Sequence, residues 1–502
     1  MIPHERRGNL RWLPAICAIL GIAGMVFAAQ VTGATFYVDA SVADDNGDGS
    51  DTHPKKHLLS GIRLLSLQGG DTLVLAPGRY AGPSNSITRS TILRNGRAGR
   101  TGSRDSYNVI RASVDGKTII SGALDLPLDA SYLQFEGIKW DAHEEKKIAG
   151  RHIRFLRCVF KNGPSTGNAN SLTIGTNDST PGASDILIED SWVYGPGGRY
   201  KLLVFNSKDV VLRRVVARHD GGWIPSEDNP QAGIAIYNSL QVHLQNVIVL
   251  DSTLVYPGWL GAIAHVQNSL EGTLTMNSVQ VRGSVVLNIG DVGISYEGNE
   301  SMSDVRILDT VIWKVARSAL TLNGSDHHVD AERLTVGGVL GGHAINVFGG
   351  SAAALAVRRS IIASGPHKAF HRQRGSLTHA DNDCYPRSGR PDCFLSGDVG
   401  VDPQANGLRF LPRVEDGSVL AQLGIGARIE VRTGASGTHY GEAGFADETA
   451  EPLWPWPQED RLKEDLCEDG VSRGICGTPG TLTDYIWSFL GTRSPIHSER
   501  KR

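Results

Sequence analysis

The sequence lacks an excess of charge of one sign, an abundance of cysteine, and repeated long hydrophobic runs. It carries 50 Lys and Arg against 53 Asp and Glu, for a formal net charge of −3, and its only block of one sign is the short tail "SERKR". Such a balance provides no basic stripe, so we expect no nucleic-acid partner. With 60 Gly and 7% aromatic residues, the composition favours a turn-rich β protein over a helical one.

The only long apolar run lies near the N-terminus. Arg6, Arg7 and Arg11 precede an apolar stretch over residues 13–29, which small residues follow. This order is typical of a signal peptide, predicted over residues 1–33, and the length of the stretch leaves an uncleaved signal anchor as the alternative. Both place the remaining chain outside the cytoplasm, as a secreted, periplasmic or cell-surface protein. Membrane contact is expected only through an uncleaved N-terminal segment.

The few cysteines fit that location. Cys384 and Cys393 flank the polar loop "YPRSGRPD", and Cys467 and Cys476 flank "EDGVSRGI". An oxidising compartment favours a disulfide across each loop. A zinc site is the alternative, although neither pair has CxxC spacing. Cys158, in "IRFLRCVF", is interpreted as a buried and inert thiol.

A short unit recurs through the middle of the chain. It consists of an apolar residue, two mostly polar residues, a small or apolar anchor, any residue, and a second apolar residue, as in "FEGIKW" and "LRRVVA". The anchors, spaced 20 to 33 residues apart, are Ile138, Cys158, Ser191, Val215, Val247, Val279, Thr310, Leu334 and Ser360. Short alternating strands at this interval predict stacked coils.

A second strand type trails the first in most coils, as in "LVFNSK" and "IAIYNS". Four of these strands end in Asn206, Asn238, Asn268 and Asn323. Asn tolerates a left-handed backbone and can hydrogen-bond to the next copy in a stack. Two strand types per repeat, without a helix between them, predict an all-β solenoid, and the Val, Ile and Thr content excludes helical repeats.

The ends of such a stack need covering. Residues 56–67 place Leu58, Leu59, Ile62 and Leu65 on one helical face, which predicts an N-terminal helical cap. The repeat ends near residue 395, and a Trp-rich segment with two predicted short helices follows. We therefore expect a β-helix over residues 34–395 and a C-terminal capping segment over residues 396–502.

One column of residues predicts a site. The positions four residues after the anchors are Gly195, His219, Asp251, Gly283, Lys314 and Gly338. Because equivalent positions in stacked strands lie about 4.8 Å apart, we expect His219 and Asp251 to be neighbours. A carboxylate beside an imidazole raises its pKa and orients it as a base. Asp220 lies in the same loop, and Lys201 and Arg218 are alternative bases.

Longer coils point to the same face. Their extra residues include Trp223, Tyr256 and Trp259, whose flat rings suit sugars, and "GPGGRYK" adds Arg199 and Tyr200. Insertions on one side of a solenoid commonly build its binding face. The alternative to a binding face is a set of solvated turns without function, since Asp-Gly-Gly is a common turn sequence.

The loop "DDNGDGSDTHPK" resembles half of a calcium loop. Asp44, Asn46 and Asp48 match its first ligand positions, whereas Lys55 stands where a bidentate Glu is expected. A solvated acidic turn is the alternative, and any Ca²⁺ bound there would be structural. The sequence does not indicate a required cofactor. Ca²⁺ is the only candidate cofactor that it suggests.

"ATFYVDAS", "GDGSDTHP" and "GGDTLVLAPGRYAG", together with "DVGVDPQANGLRFLP" near the end, resemble the secreted right-handed parallel β-helix proteins of the pectate-lyase-like superfamily. The resemblance covers roughly residues 34–415. It implies a right-handed parallel β-helix and a polysaccharide ligand. The superfamily includes lyases, hydrolases, epimerases, esterases and adhesins, and no complete catalytic signature of one lyase family is present.

These observations predict a monomeric protein that binds an acidic polysaccharide and modifies it as a lyase, or less readily as an epimerase. β-Elimination needs a cation on the sugar carboxylate, a base and an acid. The first alternative is a glycoside hydrolase with Asp220 and Asp251 as its carboxylate pair. The second is a non-catalytic carbohydrate-binding rod.

Overall fold

The structure is a computed structural model, and it describes residues 33–88, 106–176, 182–223, 230–254, 260–363, 367–385, 393, 397–403 and 418–490. Within these ranges the chain winds in successive coils, and each regular coil adds one strand to each of three parallel sheets. This arrangement confirms the predicted right-handed parallel β-helix. No helix in the described part of the chain is long and apolar enough to cross a membrane.

The three sheets run the length of the stack, with neighbouring coils paired in parallel. Sheet 1 contains Thr35–Val38, Thr72–Leu75, Asn108–Ala112, Ser131–Glu136, Arg151–Leu156, Ser184–Glu189, Lys208–Arg213, Leu240–Gln245, Asn277–Arg282, Met302–Leu308, His327–Glu332, Ala354–Arg358 and Ser376–Ala380. Sheet 2 contains Gly78–Tyr80, Thr118–Ile120, Ile138–Asp141, Val159–Lys161, Trp192–Tyr194, Val216–Ala217, Ile248–Leu250, Val285–Ile289, Val311–Val315, Thr335–Gly337, Ile361–Ala363 and Asp383–Tyr385. Sheet 3 contains Asp125–Leu126, Lys146–Ile148, Leu172–Gly175, Tyr200–Phe205, Ala232–Tyr237, Gly261–Gln267, Ile294–Gly298, Leu320–Leu322, Ile345–Val347 and Phe370–Arg372.

The described helices lie at the two ends of the chain. They are α1 (Leu58–Ile62), α2 (Val419–Gln422), α3 (Glu459–Leu466) and α4 (Leu482–Leu490), with 3₁₀ turns at Pro83–Asn85 and Gly474–Gly477. Leu58 and Leu65 are fully buried in the interior cluster of the first coils. Gly61 lets α1 approach closely, since a Cβ there would lie 2.4 Å from Val38 Cγ2. Helix α1 therefore forms the predicted N-terminal cap.

The core lies inside the coils because successive side chains of a strand point to opposite sides. Ile153 and Phe155 point inward from one coil and pair in register with Ile186 and Ile188 of the next, and all four are fully buried. Rings also stack from coil to coil, as Phe135 and Phe155 do at 4.8 Å between centroids. Stacked apolar columns of this kind hold adjacent coils together.

The sharp corner between sheets 1 and 2 requires a left-handed backbone in most coils. The residues that adopt it precede the anchors, and they include Arg157, Asp190, Arg214, Asn246, Asp309, Arg333 and Arg359, with φ between 50° and 56°. The asparagine prediction holds for two of its four residues, at the corner between sheets 3 and 1. Asn206 and Asn238 have φ of 48° and 44° there, whereas Asn268 and Asn323 do not adopt a left-handed backbone. Asn238 Nδ2 donates to the Asn268 carbonyl at 3.1 Å, which joins two coils.

One predicted anchor was wrong. Val279 lies inside the sheet 1 strand Asn277–Arg282, and Ser284 occupies the anchor position, where its Oγ accepts from the Val247 N–H at 3.0 Å. The sequence is ambiguous here because "MNSVQV" and the overlapping "VRGSVV" both fit the repeat. The correct frame places Asn288, and not Gly283, in the column of His219 and Asp251.

The segment expected to cap the C-terminal end packs mainly against the side of the stack. Its buried residues, among them Trp454, Trp456, Leu462 and Trp487, cluster with outward-facing sheet 2 residues such as Trp192. The outer face of sheet 2 is apolar in these coils, so the segment removes it from water. Near the last coil, Leu420 and Ile425 pack on Ile361.

Both predicted disulfides form, Cys384–Cys393 and Cys467–Cys476, and Cys158 is a buried free thiol. The second disulfide joins the end of α3 to the 3₁₀ turn that lies on sheet 2. We expect the Cys467→Ser/Cys476→Ser double variant to lose about 2–3 kcal/mol of unfolding free energy, because the bridge closes a short loop of the unfolded chain. Urea unfolding of the two proteins measures this loss. An unchanged midpoint would show that the bridge adds no stability.

Candidate functional site

The column predicted as a catalytic face is a corner of the backbone. Asp251, Asn288 and Lys314 have φ of 48°, 57° and 55°, and Gly195 and Gly338 also have positive φ. Asp, Asn and Gly are the residues that adopt a left-handed backbone most readily. Turn geometry therefore explains most of the polar residues in this column.

His219 is a buried structural side chain. It has no solvent exposure, its Nδ1 accepts from the Gly221 N–H at 3.1 Å, and its Nε2 lies 3.0 Å from the Gly198 carbonyl. These contacts describe a neutral imidazole with its proton on Nε2. Burial, reinforced by the nearby positive charge of Lys201, holds the pKa of His219 well below its ordinary value. In this structure His219 is therefore closed off from solvent, with both ring nitrogens next to backbone groups.

Asp251 faces the C-terminal segment and not His219. Its carboxylate accepts from Asn288 Nδ2 at 2.6 Å, the Tyr485 hydroxyl at 2.6 Å and the Ile475 N–H at 2.9 Å. Gly474 passes so close that a Cβ there would lie 2.1 Å from Asp251 Cγ. The carboxylate thus fixes the C-terminal segment to the stack.

The other predicted catalytic residues also make contacts within the fold. Asp220 is paired with Arg218 at 2.8 Å and also with Arg473 of the C-terminal segment. Lys201 is fully buried and donates to the Gly195 and Gly197 carbonyls, and burial lowers its pKa to about 7. Exposed Lys314 stands over the Phe489 ring at 5.6 Å. Among Asp220, Arg218, Lys201 and Lys314, only Lys314 is exposed to solvent.

The predicted substrate-binding residues divide into three groups. Trp223 is buried and donates from Nε1 to the Gly167 carbonyl at 2.8 Å, so its ring is not presented to a sugar. Tyr256 and Trp259 lie outside the described residues. Arg199 and Tyr200 line a large cavity on the outer side of sheet 3.

This sheet 3 cavity has a volume of about 570 Å³. It is lined by Asp125, Leu126, Pro127, Leu128, Asp129, Glu145, Lys147, Ala149, Asn168, Asn170, Thr173, Gly175, Thr176, Arg199, Tyr200, Leu203, Phe205 and Tyr237. Its floor is a row of register partners from successive coils, Asp125, Lys147, Thr173 and Leu203. The parallel register therefore brings charged, polar and apolar side chains to one surface.

One wall of the cavity is a polar network around Glu145. Its Oε1 accepts from Thr173 Oγ1 at 2.5 Å and from Asn170 Nδ2 at 2.9 Å, and its Oε2 lies 3.5 Å from Lys147 Nζ. The Lys147 side chain is half exposed. Glu145 is thus held in one orientation while Lys147 extends towards solvent.

The opposite wall is aromatic. The hydroxyls of Tyr200 and Tyr237 are 2.8 Å apart, and the Arg199 guanidinium lies 4.6 Å from the Tyr200 ring centroid. Arg199 is oriented by Asn168 Oδ1 at 2.7 Å and by the Pro230 carbonyl at 3.1 Å. Burial raises the pKa of both tyrosines, so both hydroxyls stay protonated at neutral pH.

The calcium-like loop is organised by its own backbone. Asp44 accepts from the Asn46 N–H at 2.9 Å and Asp48 from the Ser50 N–H at 2.8 Å, and both contacts are exposed. The residue between them, Asp45, instead binds His57 Nδ1 at 2.6 Å. Across the described residues no group of three or more His, Cys, Asp or Glu side chains could hold a metal ion.

Sequence reasoning missed Glu145, Lys147, Asp125, Asp129 and Tyr237, all of which line the sheet 3 cavity. A signal for Tyr237 was present. Tyr237 and Phe205 each precede an Asn of the asparagine column, and this shared register places both rings on the outer face. The charged run "DAHEEKK" similarly precedes and enters a sheet 3 strand.

No family model and no curated protein matches the chain. Among solved structures, it is similar to pectate lyase Pel9A, with 12% identity over 84% of this chain and 90% of that one and a TM-score of 0.38. It is also similar to the PL6 family alginate lyase AlyGC, with 10% identity, 82% and 58% coverage and a TM-score of 0.46. The catalytic unit of the GH87 α-1,3-glucanase from Streptomyces thermodiastaticus strain HF3-3 has 11% identity, 73% and 69% coverage and a TM-score of 0.44. At these values the likeness assigns no activity to this chain.

Proposed function

We propose that this chain is an extracytoplasmic protein that binds an acidic polysaccharide in the sheet 3 cavity and cleaves it by β-elimination. The observation that carries the proposal is the convergence of Arg199, Lys147 and the Tyr200–Tyr237 hydroxyl pair on one cavity of about 570 Å³. That volume lies in the range of roughly 300–1,000 Å³ typical of small-ligand pockets. The N-terminal signal pattern and the two disulfides support a location outside the cytoplasm.

The cavity supplies groups for each role in the reaction. Arg199 presents a planar fork that suits a uronate carboxylate, and neutralising this charge acidifies the neighbouring C5–H bond. Lys147 Nζ is the base that takes the C5 proton. The C5–H electrons form the C4=C5 double bond, and the C4–O bond breaks with its electron pair on the leaving oxygen. A tyrosine hydroxyl of the Tyr200–Tyr237 pair protonates that oxygen.

A hydrolase is the second candidate because the same cavity holds three carboxylates. Asp125, Asp129 and Glu145 all line it, and hydrolysis of a glycosidic bond uses two carboxyl groups. Glu145 is the best positioned of the three, since Asn170 and Thr173 fix its orientation.

Ultraviolet absorbance of the unsaturated uronate tests the proposal with the full secreted chain and a panel of uronic-acid polymers. We expect a rise on at least one polymer, and we expect it to persist in chelator because the Arg199 guanidinium supplies the positive charge. Reducing ends released without absorbance would instead establish the hydrolase. Binding without either product would identify a non-catalytic protein.

A further inference from the structure

A second cavity lies on the outer side of sheet 3, towards its C-terminal coils. It has a volume of about 250 Å³ and is lined by Val292, Arg317, Ser318, Gly341, Gly342, His343, Asn346 and His367. Asn346 pairs in register with His371 of the next coil, so that imidazole belongs to the same surface. The reaction proposed for the first cavity uses none of these side chains.

Three imidazoles meet at this cavity. The rings of His343 and His371 stack with centroids 4.0 Å apart at an interplanar angle of 20°, and His367 lies 5.6 Å from His343. His371 Nδ1 lies 2.8 Å from Asn346 Oδ1, an atom that can only accept, so Nδ1 carries a proton. The rings are half-buried or exposed, so they can exchange protons with solvent.

The charged groups around the imidazoles are mostly positive. Arg317 lies beside the cavity and pairs with buried Asp291 at 3.4 Å. Lys368 follows His367, and burial together with this nearby positive charge lowers the pKa of His371. Arg317 and Lys368 thus add positive charge near the imidazoles, and the one carboxylate among these groups, Asp291, is buried and paired with Arg317.

Parallel stacking is unsuited to chelation, because the ring nitrogens of stacked imidazoles do not converge on one point. Nor do three or more His, Cys, Asp or Glu side chains of the described residues form a group that could hold a metal ion. Protonated imidazoles instead offer N–H donors, as does a guanidinium. An anion between such groups offsets their mutual repulsion.

We infer that this histidine pocket binds an oxyanion, a carboxylate or a sulfate group, and that binding is coupled to proton uptake by His343, His367 and His371. The inference does not depend on the proposed elimination reaction. Without an anion, two charged rings in contact repel each other, so the free pocket takes up protons reluctantly. Because the anion stabilises the protonated rings, affinity is highest below the ordinary imidazole pKa of about 6.5 and is lost as the pH rises through it.

Calorimetric titration of the full chain with sodium sulfate, and separately with sodium glucuronate, tests the inference. We expect affinity at about pH 5.5 to be roughly tenfold higher than at about pH 7.5. Heats measured in buffers of different ionisation enthalpy should show net proton uptake. Binding of sulfate alone, of glucuronate alone, or of both identifies which oxyanion fits.

The variants His343→Gln and His371→Gln should each reduce the pH dependence, and the double variant should reduce it further. His328→Gln is the matched control because His328 is an exposed histidine of sheet 1. NMR of the wild-type protein gives a second test that does not depend on a variant folding well. During a sulfate titration, the ring-proton signals of His343 and His371 should shift as the anion binds. The inference is overturned if affinity is independent of pH, or if wild-type ring signals do not move. Retained elimination activity would then leave the proposed function standing.

Discussion

Replacing Asp251 by Asn is expected to lower the free energy of unfolding by about 2–4 kcal/mol, while the folded fraction keeps its activity. The carboxylate is buried and accepts from Asn288, Tyr485 and the Ile475 backbone. An amide in its place can accept at only one atom, so at least one buried donor loses its partner. The substitution therefore weakens the contact between the C-terminal segment and sheet 2.

Tryptophan fluorescence during urea unfolding measures this effect, because Trp454, Trp456 and Trp487 are buried in the C-terminal segment. Asp330→Asn is the matched control, since Asp330 is an exposed carboxylate of sheet 1 paired weakly with Arg358 at 3.8 Å. The opposite result, unchanged stability with lost activity, would return Asp251 to the catalytic role that the repeat pattern suggested.

The fold could be predicted because its signals are local. A coil needs alternating apolar residues and a left-handed corner, and both are visible within about six residues, as in "LRRVVA". The same locality produced the error at Val279, because two matches to the repeat share Val281 and place their anchors five residues apart, at Val279 and Ser284. Only pairing with the neighbouring coil, through Val247 and Ser284, fixes the frame.

The site could be predicted only in part because burial by a distant segment leaves no local trace. His219 and Asp251 do occupy adjacent coils of one column, as their spacing indicated. Arg473 and Tyr485, more than 200 residues later in the chain, turn this column into an interior contact. Arg199 and Tyr200 lie at a cavity, but Lys147 lies in a strand two coils earlier and Glu145 directly precedes that strand. Only the parallel register brings the two pairs to one surface.

The Arg199→Ala variant is expected to lower kcat/KM on a uronate polymer by about 10²–10³-fold. Arg199 is the group proposed to neutralise the sugar carboxylate, and without it the C5 proton is not acidified. The fold should be unaffected, because the side chain is only partly buried and contacts Asn168, the Pro230 carbonyl and the outer face of the Tyr200 ring. If the protein binds without cleaving, the same substitution should weaken polymer binding instead.

Two further variants make the result specific to the sheet 3 cavity. Arg306→Ala removes an exposed arginine of sheet 1, paired with Asp304 at 2.9 Å, and should leave kcat/KM unchanged. Arg199→Lys retains the charge but not the planar fork, so we expect an intermediate rate. Equal rates for wild type and Arg199→Ala, with unchanged urea midpoints, would place the chemistry elsewhere. An Arg199→Ala rate that falls while Arg306→Ala stays active would assign it to this cavity, since the two variants remove the same charge from different faces of the stack.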